Sequence, residues 1–118
     1  MTLYRQGDIV LVNFPFTDLS QTKKRPALLL SANWYNESSP DCIIVPITSI
    51  IRDPLPRQDV LIAPDIAIRS GLLFESAIRT GKPFTLEQKL IIRTLGKLPA
   101  SILTRAIERT GDATGYPK

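Results

Sequence analysis

The sequence predicts a mainly β domain closed by one C-terminal helix, and three observations carry that prediction. Short apolar runs rich in Val, Ile and Leu recur along the first 95 residues, and Pro, Gly or polar clusters stop each of them. A helical period appears only once, after Pro99, where Leu98, Ile102, Leu103, Ala106 and Ile107 recur at three- and four-residue steps. The length, 118 residues, suits one domain that buries somewhat over ~60% of its unfolded-chain surface. Close strand spacing with one terminal helix implies a strongly curved antiparallel barrel or open sheet with the helix packed on it. The domain is expected over residues 1–111 and a frayed tail over 112–118.

In order, Gly7-Asp8 leads into Ile9, Val10, Leu11, Val12, Asn13 and Phe14, a buried strand stopped by Pro15. Phe16 to Lys24 is polar and suits a surface loop. Arg25-Pro26 opens a second strand, Ala27 to Ser31; Asn33 to Pro40 reads as a loop with two aromatics; Asp41 to Ile47 is a third strand. Pro46 has no N–H to give to a ladder, which suggests an edge strand or the end of regular pairing. Ser49 to Arg57, with Pro54 and Pro56, is a connection, and Gln58 to Ile62 a fourth strand closed by Pro64-Asp65. Ser76 to Thr80 alternates as a half-exposed strand does, and Leu90 to Leu95 is a further strand ending at Gly96. Pro99 is tolerated at the start of the helix, and Gly111 is its expected stop.

Composition narrows the chemistry. The chain has no His and one Cys, which excludes Ser-His-Asp and Cys-His pairs and a cysteine-based structural zinc site. Catalysis would have to run on carboxylates, Arg, Lys, Ser, Thr or Tyr. Cys42 lies in the apolar run Cys42-Ile43-Ile44-Val45 and reads as a small buried hydrophobe. The N-terminal residues lack the basic-then-apolar order of a signal peptide, and no apolar run approaches the ~18 residues of a membrane span. The expected location is therefore the cytoplasm, without membrane contact. A net charge of +4 is compatible with a polyanionic partner and equally with an ordinary soluble domain.

Three places combine polar groups with strand ends. Lys23-Lys24-Arg25 can neutralise phosphates, with Arg25 presenting a planar fork from the head of a strand, or can be a solvated turn. Thr48-Ser49 can donate to a phosphate oxygen or cap a turn. Arg79-Thr80 closes the alternating strand, where a cation is a ligand or a surface residue. Phe14, Phe16, Trp34 and Tyr35 flank these places and are either stacking platforms for nucleobases or packing residues.

The series Gly7-Asp8-Ile9-Val10-Leu11-Val12-Asn13-Phe14-Pro15-Phe16, Lys24-Arg25-Pro26-Ala27-Leu28-Leu29-Leu30-Ser31 and Val45-Pro46-Ile47-Thr48-Ser49 resembles the MazF/PemK/Kid family of toxins from bacterial toxin–antitoxin systems. Ser70-Gly71-Leu72, Ser76-Ala77-Ile78-Arg79, Phe84-Thr85-Leu86-Glu87 and Ile92-Arg93-Thr94-Leu95-Gly96-Lys97-Leu98 continue the resemblance to its PemK-like branch, roughly from Gly7 to Ile107. The resemblance implies an SH3-like barrel that forms a homodimer and cleaves single-stranded RNA at short motifs without a metal or other cofactor. It also implies a cognate antitoxin whose acidic tail crosses the RNA groove. It assigns catalysis to Arg25, Thr48 and Arg79, and RNA binding to Phe16, Thr17, Asp18, Lys23, Lys24 and Ser49.

The sequence departs from the family pattern in two places. The position of an Asp, two residues after the family Arg matched by Arg79, is Gly81, and the usual Lys-Pro before the strand Ser is Phe74-Glu75. A guanidinium is a poor base, so Asp18 and Glu75 are the nearest substitutes for the missing carboxylate. Three readings therefore stand open. They are an endoribonuclease toxin, a relative that binds RNA or antitoxin with weak or lost cleavage, and a non-enzymatic SH3-like interaction module.

Overall fold

A computed structural model of the chain describes residues 4–15 and 22–116. Seven strands, β1 (Asp8–Pro15), β2 (Thr22–Leu29), β3 (Asp41–Thr48), β4 (Val60–Ile62), β5 (Ser76–Ile78), β6 (Phe84–Glu87) and β7 (Arg93–Lys97), alternate with α1 (Asn33–Ser38), α2 (Pro64–Arg69) and α3 (Ala100–Ala113). The strands form one curved antiparallel sheet in the order β4-β5-β3-β2-β1-β7, with β6 paired to β3. This is the mainly β architecture with a C-terminal helix that the sequence predicts.

β3 is the pivot of the curve. It pairs with β2 along one side, Leu29↔Ile44 to Ala27↔Pro46, and on its other side first with β6 (Asp41↔Glu87 to Ile44↔Phe84) and then with β5 (Ile47↔Ile78, Thr48↔Ala77). Pro46 is thus not on an edge strand. It sits at the gap where β3 passes from β6 to β5, and where pairing with β2 ends, so its missing N–H costs the ladder nothing. Its carbonyl accepts the Arg79 N–H at 2.9 Å.

The two faces bury different clusters. Ile9, Leu28, Val45, Ile47, Val60, Ile62 and Ile78 form one cluster, which Ala67, Leu72, Leu98, Ile102 and Ala106 close. Val10, Val12, Ala27, Leu29, Cys42, Ile44 and Ile91 point outward, beneath Tyr4, Phe14, Phe84 and Leu86. Cys42 has no exposed surface, and burial first, then the neighbouring Asp41 charge, pushes its thiol up to about 11. The Ile102 and Ala106 face of α3 lies on the chain's own core rather than on open surface.

Several local expectations change. Asn33 to Ser38 is helical, because Asn36 is buried and its amide donates to Ser31 O at 3.0 Å, while Gln88 Nε2 donates to the carbonyls of Asn36, Ser39 and Asp41. Pro64 starts α2 instead of closing a strand. It stands in the first turn with Asp65, and Arg69 in the last turn pairs with Asp65 at 3.7 Å. The strand after Gly71 is shorter than expected, and Ser76, Ala77 and Ile78 are all buried rather than alternating, since both faces are covered there. The last strand runs from Arg93 to Lys97, preceded by a 3₁₀ turn at Gln88–Leu90, and Gly96 lies inside it. β6 went unanticipated, and α3 continues past Gly111 to Ala113.

Candidate nucleic-acid interface

Arg25 lies on β2 opposite Val12 and is half-buried. Residues two apart on a strand, and residues directly opposite across an antiparallel pair, share a face. Arg25 shares its face with Ala27, Ala27 with Pro46 across the ladder, and Pro46 with Thr48. Thr48 in turn faces Ala77, and Arg79 stands two residues on, its N–H continuing the β3–β5 ladder to Pro46 O. The three residues that the resemblance names as catalytic thus rise from one face of three adjacent strands.

Thr48 also fulfils its structural reading. Its Oγ1 accepts the Ile50 N–H at 3.0 Å, capping the turn after β3, and the hydroxyl proton is left for a second acceptor. Lys23 and Lys24 are exposed at the start of β2. With Arg25 and Ser49 they line a groove of about 470 Å³ floored by Leu11, Pro26, Ile47, Leu72 and Leu95. Among the described residues no Asp or Glu lines it, and β7 adds a fourth cation, Arg93. Arg93 escaped the sequence reading because its place depends on the Leu11↔Arg93 pairing, a contact between chain ends. Leu73 and Phe74, 81% and 65% exposed, form part of the groove wall.

Other expected residues separate from this surface. Phe16, Thr17 and Asp18 lie outside the described residues. Thr48 and Arg79 share the Arg25 face but do not line the groove. Phe14 packs edge-on against Phe84 at 5.0 Å, and Trp34 edge-on against Tyr35 on α1 at 5.8 Å; none of them lines the groove. Glu75 is exposed just before β5. Gly81 borders a separate cleft with Arg57, Gln58, Arg109 and Asp112.

One carboxylate had no signal in the sequence. Asp59, directly before β4, is 3% exposed, and its Oδ1 has no hydrogen-bond partner. Desolvation raises its pKa above the ordinary carboxylate value, and the Arg52 charge opposes that rise. Among the described residues no group of three or more His, Cys, Asp or Glu side chains is placed to hold a metal ion, and no helix is long and apolar enough to cross a membrane.

Fold and surface together define a small curved-sheet protein with a cationic groove at one end of its core. A family profile described as PemK-like, MazF-like toxin of type II toxin–antitoxin system matches residues 5–109, and the chain belongs to that family. No curated protein sequence matches it significantly. Among solved structures, an endoribonuclease in complex with its cognate antitoxin from a mycobacterial species superposes with a TM-score of 0.79 at 17% identity, covering 98% of each chain. The MazE–MazF complex (Form-II) of Deinococcus radiodurans gives 0.78 at 21% identity, covering 99% of this chain and 100% of that one. The Mycobacterium tuberculosis toxin MazF-mt6 gives 0.74 at 20% identity, covering 94% and 99%. At such identities the likeness is one of fold.

Proposed function

We propose that this protein is the endoribonuclease toxin of a toxin–antitoxin pair and cleaves single-stranded RNA by attack of a 2′-hydroxyl on the adjacent phosphate. The observation that carries the reading is the convergence of Arg25, Thr48 and Arg79 on one sheet face in a chain of the PemK-like, MazF-like family. The substrate supplies its own nucleophile, so the protein must hold an in-line geometry, stabilise the phosphorane charge and manage two protons. Arg25 and Arg79 meet the developing charge, and the Thr48 hydroxyl donates to a phosphoryl oxygen. Lys23 shares the Arg25 face and holds a phosphate beside it, while Lys24, Ser49 and Arg93 supply further cations and a donor from the groove around the strand end. The chemistry needs no metal, because cations and donors of the protein carry the charge term. Structural neighbours in complex with antitoxins support a cognate antitoxin as partner; its proposed acidic segment would compete for the groove cations, and the proposed working unit is a homodimer.

A second reading, RNA binding with little cleavage, is favoured by Gly81, which offers no carboxylate. Single-stranded RNA incubated with the protein in excess chelator separates the two. Cleavage by the wild type, reduced about 10²–10³-fold by Arg25→Ala or Thr48→Ala, is the expected result. Binding without cleavage would establish the second reading. RNA neither bound nor cut would refute both.

A further inference from the structure

We propose that Asp59 is the proton acceptor of the cleavage reaction, standing across the sheet from Arg79 in place of a carboxylate at position 81. The inference rests on the endoribonuclease reading. The β4–β5 register pairs Val60 with Ile78 and Leu61 with Ala77, and one further step sets Asp59 opposite Arg79. The two chains do stay side by side beyond the ladder, because the Thr80 hydroxyl donates to Gln58 O at 2.7 Å. Asp59 is two residues from Leu61, and Leu61 shares its face with Ala77 and Thr48. Register parity therefore places Arg25, Thr48, Arg79 and Asp59 on one face of β2, β3 and the ends of β5 and β4, with the Arg52 charge also acting on Asp59. Asp59 brings a carboxylate to that face.

Its state is unusual for a structural residue. A buried carboxylate oxygen is normally paired, and leaving one unpaired is costly. Asp59 Oδ1 has no partner, although its backbone N–H is satisfied by Pro56 O at 3.0 Å. Burial favours its protonated form and the Arg52 charge opposes this, a net direction that strengthens the carboxylate as a proton acceptor. Gly81 does not fill the role, and no backbone constraint explains why it is Gly. Its φ is not in the left-handed region, and an added Cβ would meet only the Gln58 side chain, Cγ at 3.3 Å.

In the proposed step the 2′-O–H proton passes to Asp59 through one bridging water as the 2′-oxygen forms its bond to phosphorus. The P–O5′ bond breaks, the 5′-oxygen takes a proton from a second water, and the resulting hydroxide recovers the proton from Asp59. The step leaves a 2′,3′-cyclic phosphate and consumes no proton.

The test is single-turnover cleavage of a single-stranded RNA across a pH range by wild type, Asp59→Asn and Asp59→Asn/Gly81→Asp. Binding is followed with the same RNA carrying a 2′-deoxy residue at the cut site. The expected results for Asp59→Asn are a rate lowered about 10²-fold or more, a Kd within twofold of wild type, an unfolding midpoint no lower, and loss of the carboxylate limb of the pH profile. Partial recovery of rate in the double variant would add direct support. An Asp59→Asn protein that cleaves within threefold of wild type, or that loses binding or fold along with rate, overturns this proposal and leaves the nuclease reading standing. A wild type that does not cleave overturns both.

Discussion

Asp59 shows how a single residue can couple stability to pH. Its folded-state pKa is raised, mainly by desolvation, so the native state holds the proton more tightly than the unfolded chain does. The resulting stability is complete below the unfolded-chain carboxylate pKa and is lost as pH rises through the raised native value. Asp59→Asn removes that dependence. The midpoint of the variant minus that of the wild type should therefore grow between pH ~4 and pH ~7, as thermal melts at both ends would show. A constant difference would mean that Asp59 titrates as it does in the unfolded chain. Cys42 makes the opposite case of a titratable group with no work to do: with its thiol pushed up to about 11 and no exposed surface, it should react with a thiol reagent only on unfolding. Rapid labelling of the native protein would contradict this.

Among the elements, the turn between α2 and β5 is held against β7 by two glycines. Gly71 has φ +92°, and a Cβ there would fall 2.1 Å from Leu95 O, while a Cβ on Gly96 would fall 2.1 Å from Ser70 O. Backbone lies on backbone, so neither neighbour can yield as a flexible side chain would. Gly71→Ala and Gly96→Ala should each cost about 3 kcal/mol or more, read as a large drop in the denaturation midpoint. The same packing sets Leu73 and Phe74 in the groove wall, so RNA affinity should fall as well. Gln88 plays a comparable part elsewhere, since its amide ties α1 and the start of β3 to the 3₁₀ turn. Gln88→Met would strand three carbonyls at a cost of about 2 kcal/mol, measurable by urea titration.

At the scale of the whole molecule, the groove brings Lys23, Lys24 and Arg25 from β2 together with Arg93 from β7, with no acid among the described lining residues. If all four contact phosphates of a single strand, log K for RNA should fall against log salt with a slope of about −3, and Arg93→Gln should lessen that slope by about one. A slope unchanged by Arg93→Gln would remove Arg93 from the interface. The proposed homodimer has its own check in sedimentation at micromolar concentration, where a monomer would contradict it. Leu73 and Phe74 are exposed apolar residues beside the groove, whereas Ile102 and Ala106 of α3 are covered by the chain's own core.

How much of this was legible in the sequence varied with the range of the contacts involved. Strands β1, β2 and β3 and helix α3 declare themselves through runs and periods of apolar residues, because burial of a strand or helix face depends on neighbours a few positions away. Pro64, Asp65 and Arg69 carry local helix-end signals too, but the apolar run before them reads as a strand that Pro64-Asp65 closes. The helix at Asn33–Ser38 was not legible, because its stability comes from Ser31 and Gln88, the latter 52 residues from Asn36.

By itself, then, the sequence determined the β class, the terminal helix and, through its resemblance, Arg25, Thr48 and Arg79 as residues of interest. It also ruled out imidazole chemistry by containing no His. Only the tertiary structure decided which groups meet. The pivot of β3 at Pro46 brings three strand ends to one face, the β1–β7 pairing carries Arg93 to the groove, and the β4–β5 ladder ends one residue short of buried Asp59 and of Arg79. The physical reason is that burial and charge proximity depend on register between strands distant in sequence, and a one-residue shift in register would move each of these side chains to the opposite face.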